Sequence, residues 1–181
     1  MNVHISLARR LKTLWRREDG VAAMEFVLMV PVFLAIFMSA FECGLLMTRA
    51  ILLEHAVDVT MRELRLGHYP EVTNTVLKEE ICRRTIIFGE CESNITVQLD
   101  RISTATWSIP TPPPVCRNSE DDAEPVVDLG NVGTDNDLML MRVCISLPAI
   151  FPGMGLAMEL PQDELGNYAL VARSAFVVEP S

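Results

Sequence analysis

The sequence predicts an α+β protein: a long N-terminal transmembrane helix continuing into an amphipathic helix, then a small helix plus an antiparallel sheet. Three observations predict it. From Val21 to Phe41 there is one charged residue, Glu25, and the sixteen residues from Phe26 to Phe41 carry none. The following stretch, TRAILLEHAVDVTMRELRLG, interleaves apolar and charged residues near helical spacing. Further on, apolar and polar residues alternate along three separate runs, with the two-residue period of half-buried strands.

The apolar run comes first. A helix needs about 20 apolar residues to cross a hydrocarbon core. At about 1.5 Å per residue, Val21 to Met47 extends roughly 40 Å, enough to span with some tilt. Core helices of soluble proteins seldom stay this apolar on every face. Gly20 stands just before the run, Glu25 lies inside it, and Pro31 interrupts its middle, where a transmembrane kink is expected. A carboxylate within a bilayer costs about 3 kcal/mol or more, which makes Glu25 a functional candidate. A glutamate close to the interface also reaches water by snorkelling, and sequence physics leaves both readings open.

Charge sets the orientation. Residues 1–20 hold Arg9, Arg10, Lys12, Arg16 and Arg17 against Glu18 and Asp19, a local net of +3 in a chain of −9, so the remainder carries −12. This asymmetry predicts a cytoplasmic N-terminus and a body outside. The run is too long for an ordinary signal h-region and ends at no small-x-small site. Glu42 directly before Cys43 suits no lipobox, and Arg9-Arg10 lies too far from the run for a twin-arginine signal.

Gly20-Val21-Ala-Ala-Met-Glu25-Phe26 resembles the processing site of type IV-like prepilins: glycine, four residues, glutamate, aromatic. The run from Gly20 to Gly67 is similar to the TadE-like family, the type IV-like pseudopilins of Flp/Tad (tight adherence) pilus biogenesis. There a Glu-Phe pair, a proline a few residues on and a later Glu-x-Gly recur in one helix. Here these are Glu25-Phe26, Pro31 and Glu42-Cys43-Gly44. The likeness covers about the first third of the chain; the rest matches loosely, down to a C-terminal strand ending in Glu179-Pro180. It implies a pilin-like fold and cleavage between Gly20 and Val21 by a membrane prepilin peptidase. It also implies partners among other pilins or pseudopilins and the pilus assembly platform.

Past Met47, Ile51, Leu52, Ala56, Val59 and Leu66 are expected to form the apolar face of a helical extension over residues 48–67, stopped at Gly67 with Pro70 beyond. Residues 68–181 are long enough for one modest core. Thr73 or Asn74 is expected to cap a helix in which Leu77, Ile81, Thr85 and Phe88 share a face, with Gly89 near its end. Ile95, Val97 and Leu99 then mark a strand. The stretch IPTPPPVCRNSEDDAEP reads as a stiff, then acidic, loop. Met139, Met141, Val143, Ile145 and Leu147 form one face of a second strand. Tyr168, Leu170, Ala172, Phe176 and Val178 form one face of a third. The loop between them, PAIFPGMGLAMELPQDELG, is apolar enough to pack on something. A lid over the sheet edge is favoured over a partner or membrane-surface contact.

Four of five cysteines, Cys82, Cys91, Cys116 and Cys144, fall on the predicted outer side, where oxidation to disulfides is expected rather than zinc binding. Cys82 and Cys91, nine positions apart across a helix end, are expected to pair, leaving Cys116 for Cys144. Cys43 reads as a packing residue. His55 and His68 lack a further ligand at metal spacing. The acidic groups Glu120-Asp121-Asp122, Asp135 and Asp137 lack a calcium-loop pattern. No G-x-S-x-G, H-E-x-x-H or phosphate-binding glycine loop occurs, and Gly153-x-Gly155 lacks its third glycine. No enzyme, cofactor or metal is therefore expected. The acidic balance argues against nucleic acid, which demands a basic face. The expectation is a single-pass bacterial inner-membrane protein with membrane lipid as a partner and a periplasmic domain. The alternatives are an uncleaved anchored assembly factor and an anchored adhesin with a disulfide-stabilised binding domain.

Overall fold

The computed structural model describes residues 19–70, 72–107, 109, 116, 137–153, 155–163 and 165–178. Most of the basic leader, most of the proline-rich and acidic loop, Asp135 and Glu179-Pro180 lie outside the described residues.

Helix α1, Asp19–Arg65, is one element of 47 residues that continues through Pro31. At about 1.5 Å per residue it is roughly 70 Å long. Proline has no amide hydrogen, so the Val27 carbonyl loses its usual helical partner there. The helix stops where the sequence predicts. Gly67 takes φ +68°, its N–H donates to Leu64 O at 3.1 Å, and the His68 N–H donates to Glu63 O at 3.1 Å. This pair of reversed bonds closes the last turn, and the left-handed position suits glycine.

Helix α2, Asn74–Arg84, is capped by the Thr73 hydroxyl, which accepts from the Val76 N–H at 3.3 Å. Leu77, Ile81, Thr85 and Phe88 are all buried, as expected. The helix itself ends at Arg84, short of Gly89. The Thr85 N–H turns back to Cys82 O and its hydroxyl donates to Ile81 O, which closes the helix early. A single turn, α3 (Cys91–Asn94), then feeds the sheet.

Strands β1 (Ile95–Ile102), β2 (Leu138–Pro148) and β3 (Asn167–Val177) form an antiparallel sheet in the order β1-β2-β3. Val97 faces Val143, which faces Ala172, so the three predicted apolar faces lie on one side. Ile95, Val97, Leu99, Met139, Met141, Val143, Ile145, Leu147, Tyr168, Ala172 and Phe176 are buried there against α1 and α2. The central strand is covered on its second face too. Arg142 donates to Asp100 of β1 at 3.0 and 2.7 Å, and the Ser146 hydroxyl donates to Asp163 at 3.3 Å.

The apolar face of α1 differs from the expected one. The buried stripe is Leu53, Ala56, Val57, Thr60, Met61 and Leu64. Of the residues expected, only Ala56 belongs to it; Leu52 and Val59 are half-buried, and Ile51 and Leu66 are exposed. Both sets have helical spacing, and the side laid against β3 and α2 decides between them. Thr60 enters the core because its hydroxyl donates to Ala56 O at 2.8 Å.

Candidate functional site

Two parts of α1 carry the features that point to function: its N-terminal half, and the place where the domain grips it. From Val21 to Phe41 no residue is buried, and the most apolar window there has a mean hydropathy of 2.4. Twelve exposed large apolar side chains lie in this half, which is long and apolar enough to cross a membrane. The predicted processing residues lie at the start of this half. Gly20 is helical in backbone; Val21, Glu25 and Phe26 follow in the next two turns, exposed, with Val21 and Glu25 one turn apart on one face.

The segment expected to cross the membrane as far as Met47 meets the domain from Ser39 onward. Glu42 is 2% exposed. Its Oε1 accepts from the Ile150 N–H at 3.1 Å and its Oε2 from the Phe151 N–H at 3.2 Å. The carboxylate of a motif glutamate in α1 thus holds the connection between β2 and β3. Around it, the Phe41 and Phe151 rings meet edge to face with centroids 6.2 Å apart. Gly155, at φ +56°, lies so close to Ser39 that a Cβ there would come within 2.8 Å of the serine Cβ. Two turns further on, the Arg49 guanidinium donates to Pro148 O at 3.3 Å and to the Tyr168 hydroxyl. Glu42 and Arg49 form a polar clasp that locks helix to sheet. The loop closes on the helix as well as along the sheet edge, where Gln162 bridges to Tyr168 of β3 and Ala149 and Leu160 pack against the core.

A second clasp fixes the far end of the helix. Glu63 accepts from the Tyr69 hydroxyl and from Arg84 at 2.6 Å, and Arg84 also reaches Glu80 at 2.6 Å. The Tyr69 hydrogen bond, helped by Arg84, holds the Glu63 carboxyl below the usual range against the opposing effect of burial. Arg83, with Arg84 assisting, lowers Glu80 in the same way. Burial and the adjacent Glu63 push the Tyr69 phenol up to about 12.

The structure joins Cys82 to Cys91, with Cα atoms 5.7 Å apart, and Cys116 to Cys144, with Cα atoms 5.2 Å apart. The first closes the turn between α2 and β1; the second ties the proline-rich segment to the outer face of β2. Cys43 is a free, half-buried thiol. His55 and His68 line an open groove of about 410 Å³ with Asp58, Arg62 and Glu63. Among the described residues no group of three metal-ligating side chains is assembled. Asp137 pairs with Arg101 at 2.6 Å, and the other acidic residues considered for calcium lie outside the described residues.

Sequence reasoning missed Arg49, and it noticed Glu42 only as part of a motif. The available signal was a lone acid at the end of a charge-free run, with an arginine seven positions on. That spacing puts both on one helical face.

Residues 20–62 match the sequence model of a family described as TadE-like protein. The match begins at Gly20, covers the exposed half of α1, and takes in Glu42, Arg49 and the buried stripe as far as Met61. No curated protein and no solved structure matches the chain.

Proposed function

We propose, from the TadE-like match, that this chain is a minor pseudopilin or assembly component of a Flp/Tad type IV-like pilus and not an enzyme. It is anchored in the bacterial inner membrane with residues 1–20 cytoplasmic and residues 68–181 periplasmic. The observation that carries this reading is the coincidence of the matched segment with α1: residues 20–62 contain both the exposed apolar half and the clasp that makes helix and domain one body. In this reading a prepilin peptidase cuts between Gly20 and Val21, and the exposed helix then packs among other pilin helices. Glu25 neutralises the new α-ammonium of a neighbouring subunit. A helix rises about 6 Å over the four residues between Val21 and Glu25, which sets the stagger between adjacent helices.

Intact mass from cells with an active cognate peptidase tests the processing step; a chain beginning at Val21 is expected. Only full-length chain would remove the pseudopilin and leave an uncleaved anchored assembly factor. An alkaline phosphatase fused at the C-terminus should be active. In a strain lacking the wild-type copy, Gly20→Phe should block both processing and piliation. Glu25→Ala should be cut, at least in part, yet support no pili. Normal piliation with Glu25→Ala would reduce the glutamate to a snorkelling side chain.

A further inference from the structure

The connection between β2 and β3 carries a feature that the anchor does not account for. From Leu147 to Met158 it contains no charged residue. Ile150 is 41% exposed and Met158 65% exposed, with Pro152 and Gly153 exposed between them. Surface loops of a water-facing domain are usually polar, so this one needs a reason.

Its position supplies one. The loop is held against α1 at Ser39, Phe41 and Glu42 by the contacts described above. Counted from Val21, Phe41 lies at the end of 21 nearly charge-free residues, none of them buried, about 31 Å of helix. That length equals the hydrocarbon thickness of a typical bilayer, roughly 30 Å. The loop is therefore fastened at the level where the helix leaves the hydrocarbon. Charge returns only beyond these contacts on both segments, at Arg49 on the helix and at the exposed Glu159 on the loop. The single charged side chain of α1 between Glu25 and Arg49 is Glu42, and the loop covers it. A groove of about 570 Å³ between Ile36, Ala40 and Leu156 continues the same charge-free surface.

We propose that this loop is a second membrane contact, a foot whose Ile150 and Met158 side chains enter the outer headgroup and acyl boundary of the bilayer. The loop shields the Glu42 carboxylate from hydrocarbon and fixes how the domain stands on the membrane. Clasp and foot act together: Glu42 and Arg49 make the domain rigid with the helix, and the foot sets its height and tilt. A lipid surface is the occupant because the exposed residues are apolar, lie on a short turn, and sit level with the end of the apolar helix surface.

The inference rests on the membrane-anchor reading, and the test separates the two. Full-length protein carrying Trp15→Phe and Trp107→Phe is reconstituted at high lipid excess, and single tryptophans are introduced by Phe33→Trp, Ile150→Trp, Met158→Trp or Ile86→Trp. Ile86, 93% exposed, serves as the water-facing control. Lipids brominated near the bilayer centre should quench Phe33→Trp most strongly. Lipids brominated near the headgroup should quench Ile150→Trp and Met158→Trp, with emission shifted to the blue of Ile86→Trp, which should stay unquenched. If the two loop tryptophans behave like Ile86→Trp while Phe33→Trp is quenched, the foot is overturned and the anchor stands. If Phe33→Trp is also unquenched, the anchor falls and the foot with it. All four sites are exposed or half-exposed, so tryptophan displaces no buried side chain.

Discussion

The two halves of α1 are one continuous helix with opposite fates. Residues 21–41 are almost wholly apolar and none is buried; residues 42–65 carry more charge and supply a quarter of the core. Apolar content therefore does not decide what a folded chain buries within itself. The second half is buried because its apolar residues recur at 53, 56, 57, 61 and 64, a stripe completed by Thr60 that meets the sheet while charged residues stay outside. The first half has no polar face to turn outward, so its burial has to come from other molecules.

Cutting into each half should give the sharpest contrast. Leu53→Ala removes a fully buried side chain and is expected to destabilise the domain by about 2–5 kcal/mol. Phe33→Ala, in the exposed half, should change it by less than about 0.5 kcal/mol. Urea unfolding of the full-length chain in detergent, followed by near-ultraviolet circular dichroism, reads both. Comparable losses would mean that the exposed half packs on the domain. Next in size are the disulfides. Non-reducing peptide mapping should recover Cys82–Cys91 and Cys116–Cys144, and the Cys82→Ser, Cys91→Ser double variant should lose about 2–4 kcal/mol. A different pairing, or four free thiols, would refute the assignment.

The junction between the halves should respond more locally. Glu42→Ala leaves the Ile150 and Phe151 amides without their acceptor, at a cost of about 1–3 kcal/mol. Hydrogen exchange should accelerate at those two amides first, with the sheet protected; Glu42→Gln, which keeps an acceptor, should lose less. Unchanged exchange in Glu42→Ala would show that the clasp does not hold the loop.

The smallest effect expected is with pH, at the far end of the helix. Glu63 and Glu80 have folded carboxyl values below their ordinary ones. Asp163 does too: burial opposes it, but the Asn167 backbone and side chain, the Leu165 amide and Ser146 outweigh burial. Depressed folded values make the unfolded chain bind protons first as acid is added. Their stabilisation is present above the ordinary carboxylate range and is lost as pH falls through the lowered folded values. Tyr69 has the opposite sign. Its folded value, about 12 against an ordinary 10.0, favours the fold below pH 10 and loses that contribution as pH rises through about 12. The phenolate difference spectrum between the native chain and Tyr69→Phe should place its midpoint near 12. A midpoint near 10 would mean that Tyr69 does not bind Glu63 in solution.

Elements with a local signal were legible in the chain. Alternation placed β1, β2 and β3 to within a few residues, because a strand with one wet face must alternate. Gly67 announced the end of α1, and Thr73 the start of α2, because an unpaired helix end needs a left-handed residue or a side-chain acceptor close in sequence. The length and uniformity of residues 21–41 followed from composition alone. The core-facing stripe of the second half of α1 did not, since apolar residues occupy more than one side and only the position of the sheet selects among them. Nor did the second buried face of β2, which exists because Cys116 and Asp163 arrive from remote segments to cover it. Glu42 meets its partners across 108 and 109 positions of chain. A carboxylate in an apolar run looks the same whether it faces lipid, a neighbouring helix or two amides of its own domain. Local sequence determines which groups are in need of a partner; the tertiary fold determines which partner arrives, because that depends on the path of the whole chain between them.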